Sequence, residues 1–403
     1  MPTQQSLASC RQKKIVILAN FATNIVNGPY IVIENIALNA YNLGYRCELW
    51  GISTEEDINN YPFYRHFNDD LFKFEVSDKL KQQLIADRDD IACINLHSVF
   101  TPNNIAIARY AKSLGIALCL TPQGAYHNYS FKRNFLKKAI FNFLYEEQFL
   151  KSIDYFFVHG QQEENFIKRY SSKPCYTLLN GAPAINISKP ARKKYIKEDG
   201  PLRMLFLGRL DPLHKGLDVL IKSLATFKNG EVKLTIAGPQ FNAKAQAQII
   251  ELIARLGLSD TVTICGPVYQ QSEKEHLYAS HHLFVHTSRW EGVPTGVLEA
   301  LLYGMPVLVS KETNLADAVV AEKLGLAVQN LTPEEVSEQI RTFLDNPEEL
   351  NTFAENAYRK TPTIFNWASI AQQYVNYVLD ECANKANNSK ATIPKAAAVD
   401  YLS

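Results

Sequence analysis

The chain lacks the marks of several common protein classes. Its 403 residues carry 42 Lys and Arg against 41 Asp and Glu, so no global charge draws it to nucleic acid, and any pull toward an anionic surface has to be local. No apolar run is long enough to span a bilayer. The first residues, MPTQQSLASCRQKK, lack the apolar core of a secretory signal, and the expectation is a cytoplasmic protein. Seven cysteines are scattered without a C-x-x-C pair. Cys47, Cys93, Cys119 and Cys265 fall in apolar strand-like runs, where a thiol behaves as a small hydrophobe. That usage argues for a reducing compartment and against zinc. The first strand-to-helix turn carries Asn27-Gly28 where a dinucleotide-binding turn carries G-x-G-x-x-G, which argues against a nicotinamide enzyme. Gly28 either lets a ligand approach the backbone or simply makes the turn.

What is present is strand-and-helix alternation, twice. In the first half, short apolar runs at Ile15–Leu18, Arg46–Trp50, Ile91–Leu96, Ile116–Thr121 and Tyr155–His159 are separated by helical patterns, among them Tyr30–Leu43 and Asn103–Leu114. Residues 53–90 read as polar and irregular, and their Asp87-Arg88-Asp89 reads as a solvated turn rather than a metal site, because it precedes a strand. The polar stretch 185–200 reads as a linker. Beyond it the alternation restarts with strands Met204–Leu207, Lys233–Ala237, Val262–Cys265 and Leu283–His286. Two doubly wound α/β domains are expected, 1–185 and 201–365, facing a central cleft. Trp367–Cys382 reads as a closing amphipathic helix, and 385–403 as a flexible tail.

The densest signal is Leu283–Ser310, LFVHTSRWEGVPTGVLEALLYGMPVLVS. It reads as strand, loop, helix and strand, with Pro294 at the helix start and Gly304 at its end. Glu291 lies before the helix and Glu299 one turn inside it. Between them Thr295, Gly296 and Val297 offer amides without intrahelical partners, a ready anion site. Phosphate and hydroxyls together describe a nucleotide sugar; an ordinary βαβ unit with surface glutamates is the plain alternative. At the end of the first strand of this half, Gly208-Arg209 and Lys215 supply cationic donors for phosphate. In the first half His97 and the run Gln123-Gly124-Ala125-Tyr126-His127 end strands, where an acceptor would sit.

The blocks FLGRLDPLHKGLDVLI, IAGP, ICGPV and EGVPTGVLEALLYGMPVLVS, with LHSVF, TPQGAY and LLNGAP in the first half, resemble the GT-B family of retaining glycosyltransferases commonly called family 4. The resemblance implies two Rossmann-like domains, the terminal helix around Trp367 crossing back to the first. It implies that Arg209 and Lys215 hold the donor diphosphate, Glu299 the ribose and Glu291 the transferred sugar. The turn near Val268 would contact the base, with Gly28, Gly208 and Gly238 beside the donor. His97 joins Glu291, Arg209 and Lys215 as a catalytic candidate, and Gln123, Gly124 and His127 fall on the acceptor side. No metal and no separate cofactor are implied, the nucleotide sugar being a substrate. The chain departs from the family at Gln123, where many relatives have His, and at His281-His282, where relatives often show Ala-Asp.

The expected activity is sugar transfer to a saccharide or lipid-linked acceptor in cell-surface polysaccharide or glycolipid synthesis. The alternatives are a same-fold epimerase or hydrolase and a non-catalytic partner subunit. The helix Phe131–Lys151 carries Lys132, Arg133, Lys137 and Lys138 beside Phe131, Phe135, Ile140 and Phe143. It reads either as a core helix with a solvated basic face or as a peripheral contact with the inner membrane face.

Overall fold

A computed structural model describes residues 3–19, 28–54, 61–126, 135–185 and 194–391. The chain divides into two compact units. The first comprises residues 1–123, 134–178 and 367–403, and the second residues 124–133 and 179–366.

The sheet of the first unit is parallel, in the order β3-β2-β1-β4-β5-β6-β7. Its strands are β1 (Lys14–Ala19), β2 (Cys47–Ile52), β3 (Tyr64–Phe67), β4 (Ile91–His97), β5 (Leu118–Thr121), β6 (Tyr155–Val158) and β7 (Cys175–Thr177). Strands β1 and β4 are buried at every residue, which is why they read as continuous apolar runs. The stretch expected to be irregular folds as β3 and the helix Asp78–Asp87, capped by Ser77 accepting from Leu80 N. Alternating Tyr64, Arg65, His66 and Phe67 is a half-buried edge strand, a pattern too short to stand out from its polar flanks.

The helix Trp367–Ala391 belongs to this unit and runs past the expected end at Cys382. Tyr374, Val375, Val378 and Leu379, spaced as one helical face, join Ile15, Ile17, Ile33 and Ile36 in its core. The first residues form the helix Gln4–Arg11. Its Cys10 is disulfide-bonded to Cys382, 372 residues away, with Cα atoms 6.2 Å apart. For this pair the reading of unpaired thiols is corrected: the terminal helix brings together two residues whose spacing carries no signal. Cys47, Cys93 and Cys119 are buried free thiols.

In the second unit the parallel order is β10-β9-β8-β11-β12-β13. These are β8 (Leu202–Leu207), β9 (Val232–Ala237), β10 (Val262–Cys265), β11 (Leu283–His286), β12 (Val307–Ser310) and β13 (Gly325–Val328). Met204, Phe206, Leu283, Val285 and Leu308 pack on one face, and Leu205, Phe284, Val307 and Val309 on the other. This is the period of two expected of a sheet covered by helices on both sides. Both sheets are wound outward from a central strand pair, β1/β4 and β8/β11, the switch points at which open α/β sheets place ligands.

Candidate active site

The carboxyl ends of β8 and β11 in the second unit gather the donor-side residues. The loop after β8 runs to Gly216, which precedes the helix Leu217–Ser223 with φ of 62°. A Cβ on Gly216 would sit 1.9 Å from the carbonyl oxygen of Thr287, so only glycine lets this loop touch the loop after β11. Arg289 spans the same two loops, donating to both oxygens of Asp218 at 2.7 and 2.8 Å and to Leu213 O at 2.7 Å. Gly238, at the end of β9, holds φ of 140°, and a Cβ there would meet Gly208 O at 2.1 Å.

This stitching seats Lys215 against Glu291. One carboxylate oxygen, Oε1, accepts from Lys215 Nζ, from His286 Nε2 at 3.1 Å and from Ser288 Oγ at 2.7 Å. Among the described residues nothing donates to the other oxygen, Oε2. Burial raises the Glu291 pKa, but Lys215 above all, followed by the hydrogen bond and charge of His286 and the charge of His214, outweighs it and holds the carboxyl well below its ordinary range. Glu291 is therefore an ionised, oriented acceptor. His286 stacks on Phe206 with ring centroids 5.7 Å apart. Burial lowers its pKa, and donation from Nε2 leaves its buried Nδ1 without a partner among the described residues.

His214 is stacked on Trp290 at 4.3 Å and bonded from Nε2 to Trp290 O at 2.9 Å. Burial, then the charge of Lys215, lowers its pKa to about 4, so it is a neutral ring. Arg209 is exposed, lies over the Phe241 ring at 5.3 Å, and has its guanidinium 3.4 Å from His214 Nδ1. Sequence reasoning missed His214, Ser288 and His286. Only their places at strand ends, beside residues already singled out, could have found them.

The helix Thr295–Leu302 has Pro294 as its N-cap, without a side-chain cap. The amides of Thr295 and Gly296 have no partner among the described residues, while Val297 N donates back to Pro294 O at 3.1 Å. One turn in, the buried Glu299 accepts from Lys274 at 3.2 and 3.3 Å. Lys274, on the helix Gln271–Ser280, is a second cation that sequence reading did not single out. Val268 is half-buried in the segment after β10.

In the first unit His97 closes β4 and is 1% exposed. Its Nδ1 lies 3.0 Å from Gln123 Nε2, and Gln123 Oε1 lies 3.2 Å from Nε2 of His159, which follows β6. His97 Nε2 is buried with no hydrogen-bond partner among the described residues, a state that costs about 1–3 kcal/mol and is uncommon in folded proteins. Burial, then the charge of His159, lowers the His97 pKa to about 3. The loop after β4 is pinned by Glu146, a fully buried carboxylate in a π-helical turn (Asn142–Glu146), whose oxygens both lie 3.3 Å from Phe100 N. His159 and Glu146 were not singled out from the sequence either.

Gly124 falls in the second unit, where a Cβ would lie 2.4 Å from Gly292 N. Gly28 begins the helix Gly28–Asn42, while the turn before it and His127 lie outside the described residues. Asp87 accepts from Lys14 and Gln83 at 2.8 and 2.7 Å, and Asp89 is exposed, so D-x-D is an ion-pair partner beside a solvated residue. The unusual His281-His282 pair is accounted for by packing: His282 Nδ1 accepts from Arg203 N at 3.1 Å, and His281 Nε2 bonds Thr235 Oγ1 at 2.7 Å.

Comparison with known proteins adds a family to this geometry. Residues 188–360 match the family model described as glycosyl transferases group 1. The MMP alpha-(1->4)-mannosyltransferase of Mycolicibacterium hassiacum is 27% identical over 177 residues, 43% of this chain and 42% of that protein. The chain spans between 42% and 60% of the length of the first curated relatives it matches. Among solved structures, sucrose-phosphate synthase from Thermosynechococcus elongatus superposes with a TM-score of 0.69 at 18% identity, covering 92% of this chain and all of that one. Anabaena HepE, solved with UDP and glucose, superposes with a TM-score of 0.65 at 17% identity, covering 91% and 100%. The chain therefore has the GT-B fold of these structures, and its residues 188–360 match the model of the glycosyl transferases group 1.

Proposed function

We propose that the protein transfers a sugar, with retention of configuration, from a nucleoside diphosphate sugar to a hydroxyl of a saccharide or lipid-linked acceptor, as a step in cell-surface polysaccharide or glycolipid synthesis. The observation that carries this reading is Glu291, ionised and oriented through Oε1 while Oε2 is left for a ligand hydroxyl. In this reading Oε2 accepts from the donor sugar and Glu299 from the ribose. Arg209, Lys215 and the amides of Thr295 and Gly296, unpaired among the described residues, take the diphosphate charge as it develops. Gly208 and Gly238 let the donor approach the backbone, and Val268 lies against the base. The sugar–phosphate C–O bond breaks and a C–O bond to the acceptor forms on the same face, the hydroxyl proton passing to the departing phosphate oxygen. No metal and no further cofactor enter this scheme. HepE, which shares the fold and was solved with UDP and glucose, supports a nucleotide-sugar donor.

The test is incubation with a panel of nucleotide sugars, measuring release of nucleoside diphosphate with and without acceptor saccharides. Release is expected to require acceptor and to be lost in Lys215→Ala and Glu291→Ala. Unchanged turnover in those variants removes the site assignment. Equal release without acceptor identifies an epimerase or hydrolase, and tight binding without transfer identifies a partner subunit.

An exposed apolar face favours a second element of this reading, docking on the inner membrane face. Among the described residues no helix is long and apolar enough to cross a membrane. The expected helix is interrupted: Phe135–Phe141 and Glu147–Ser152 flank the π turn. Leu136, Ile140 and Phe143 are 74%, 60% and 77% exposed. Lys138 lies over Phe100 at 5.6 Å, and Lys132 and Arg133 precede this face in the sequence. Apolar residues beside basic ones fit an anionic bilayer surface. Co-sedimentation with anionic liposomes is expected to fall in Ile140→Asp/Phe143→Asp and on neutralising Lys132, Arg133, Lys137 and Lys138; binding that survives both removes the membrane role.

A further inference from the structure

His97, Gln123 and His159 lie at the carboxyl ends of three neighbouring strands, β4, β5 and β6. His159 Nδ1 is 2.8 Å from the carbonyl oxygen of Leu178, and a carbonyl only accepts, so Nδ1 carries a proton. With Gln123 Oε1 toward His159 Nε2 and Gln123 Nε2 toward His97 Nδ1, His159 donates from both nitrogens and is an imidazolium. With the amide turned over, the same distances join two neutral rings: Gln123 donates to His159 Nε2 and accepts from His97 Nδ1–H. This second arrangement makes both contacts of Gln123 without placing a charge on a ring that is 4% exposed. It leaves His97 Nε2 a bare lone pair.

The backbone around that atom is held in an uncommon conformation. Ser98, Phe100 and Gln123 have φ of 74°, 58° and 60°, the left-handed region that residues other than glycine seldom adopt. Such strain gathers where a surrounding structure is organised around a ligand. Asn104 Nδ2 fixes the same corner by donating to His97 O at 2.8 Å and Ser98 O at 3.1 Å.

We propose that Gln123 and His159 are positioning residues that lock His97 as its Nδ1–H tautomer, so that Nε2 accepts a hydrogen bond from a hydroxyl of the sugar-accepting substrate. The proposal rests on the transferase reading and adds a selectivity to it. A lone pair attracts a hydroxyl and repels the oxygens of a carboxylate or phosphate, so the part of the acceptor that reaches the end of β4 is an uncharged hydroxyl-bearing sugar face.

The tautomer is read directly by long-range proton–nitrogen correlation of the full chain labelled with 15N-histidine at pH 7.5. The His97 signals are assigned by their loss in His97→Gln. A protonated Nδ1 with a bare Nε2 is expected in the wild type, and a shift toward the Nε2–H form in Gln123→Leu. An Nε2–H ring or an imidazolium in the wild type overturns the proposal. This measurement uses no substrate, so its failure is distinct from failure of the transferase reading. In the transfer assay Gln123→Leu is expected to lower kcat/KM for the acceptor by on the order of 10- to 100-fold with the donor dissociation constant unchanged. Gln123→Glu, whose carboxylate also accepts from Nδ1–H, recovers part of that loss. Equal loss in both variants, or loss of donor affinity, overturns the proposal.

Discussion

The Lys215–Glu291 pair can be tested as a physical unit apart from any activity. Their side chains are 13% and 12% exposed, so each charge is largely removed from water and compensated by the other. Removing one partner of a buried pair costs about 3–5 kcal/mol. In Lys215→Met the carboxylate keeps two donors, His286 and Ser288, which sets the expected loss at the low end, about 3 kcal/mol. Glu291→Gln strands the ammonium instead, at a similar cost. In the double variant neither charge remains to be stranded, so the two losses do not add, and a coupling of about 2–3 kcal/mol is expected. Urea unfolding at pH 7.5 measures it. Trp290, stacked on His214 beside the pair, reports on the second unit, whereas Trp50 and Trp367 belong to the first. A coupling below about 0.5 kcal/mol, the additivity seen for independent sites, would show that Lys215 does not hold Glu291 ionised, and the central feature of the proposed donor site would go with it.

Acid should destabilise the fold before the carboxylates titrate. The folded pKa values of His97 and His214, about 3 and about 4, lie below the ordinary imidazole value, so between those values and about 6.5 the unfolded chain binds more protons and stability falls as pH falls. From pH 7 to pH 5 each ring removes about 2 kcal/mol; a flat denaturation midpoint over that interval would refute the burial of both neutral rings. Gly216→Ala should destabilise the second unit by about 2 kcal/mol or more, since both its φ and the nearby Thr287 oxygen oppose a side chain, and thermal unfolding checks this. Glu299→Gln should weaken donor binding about tenfold by calorimetry; a donor analogue lacking the ribose hydroxyls should bind variant and wild type alike, and a difference there would remove the ribose role.

The sheets were legible because parallel strands buried on both faces are written as short apolar runs, and the core helices because of their periodicity. Strand ends were therefore legible too, which placed Arg209, Lys215, Glu291 and His97 at carboxyl ends before any coordinates. Illegible were the pairings. Lys215 and Glu291 are 76 residues apart, and the family resemblance implies separate ligand groups for them without indicating that they hold each other. His159 looked like a strand terminus, and its link to His97 through Gln123 depends on strand order, which apolar runs do not reveal. The exposed face at Leu136, Ile140 and Phe143 defied the usual pattern, since an amphipathic period predicts that such residues lie inside. The π turn within it shifts the register of one side of the helix, and nothing in NFLYE announces one.

The bond between Cys10 and Cys382 closes residues 10–382 into a covalent ring. A protease that cuts one loop of that ring opens it without releasing a fragment. Nicked protein would run as a single chain until a thiol reductant separated the pieces, so a digest compared with and without reductant counts cuts that an ordinary gel would miss. The same closure keeps residues 10 and 382 joined, so the chain could be opened in an exposed loop between them without parting that pair.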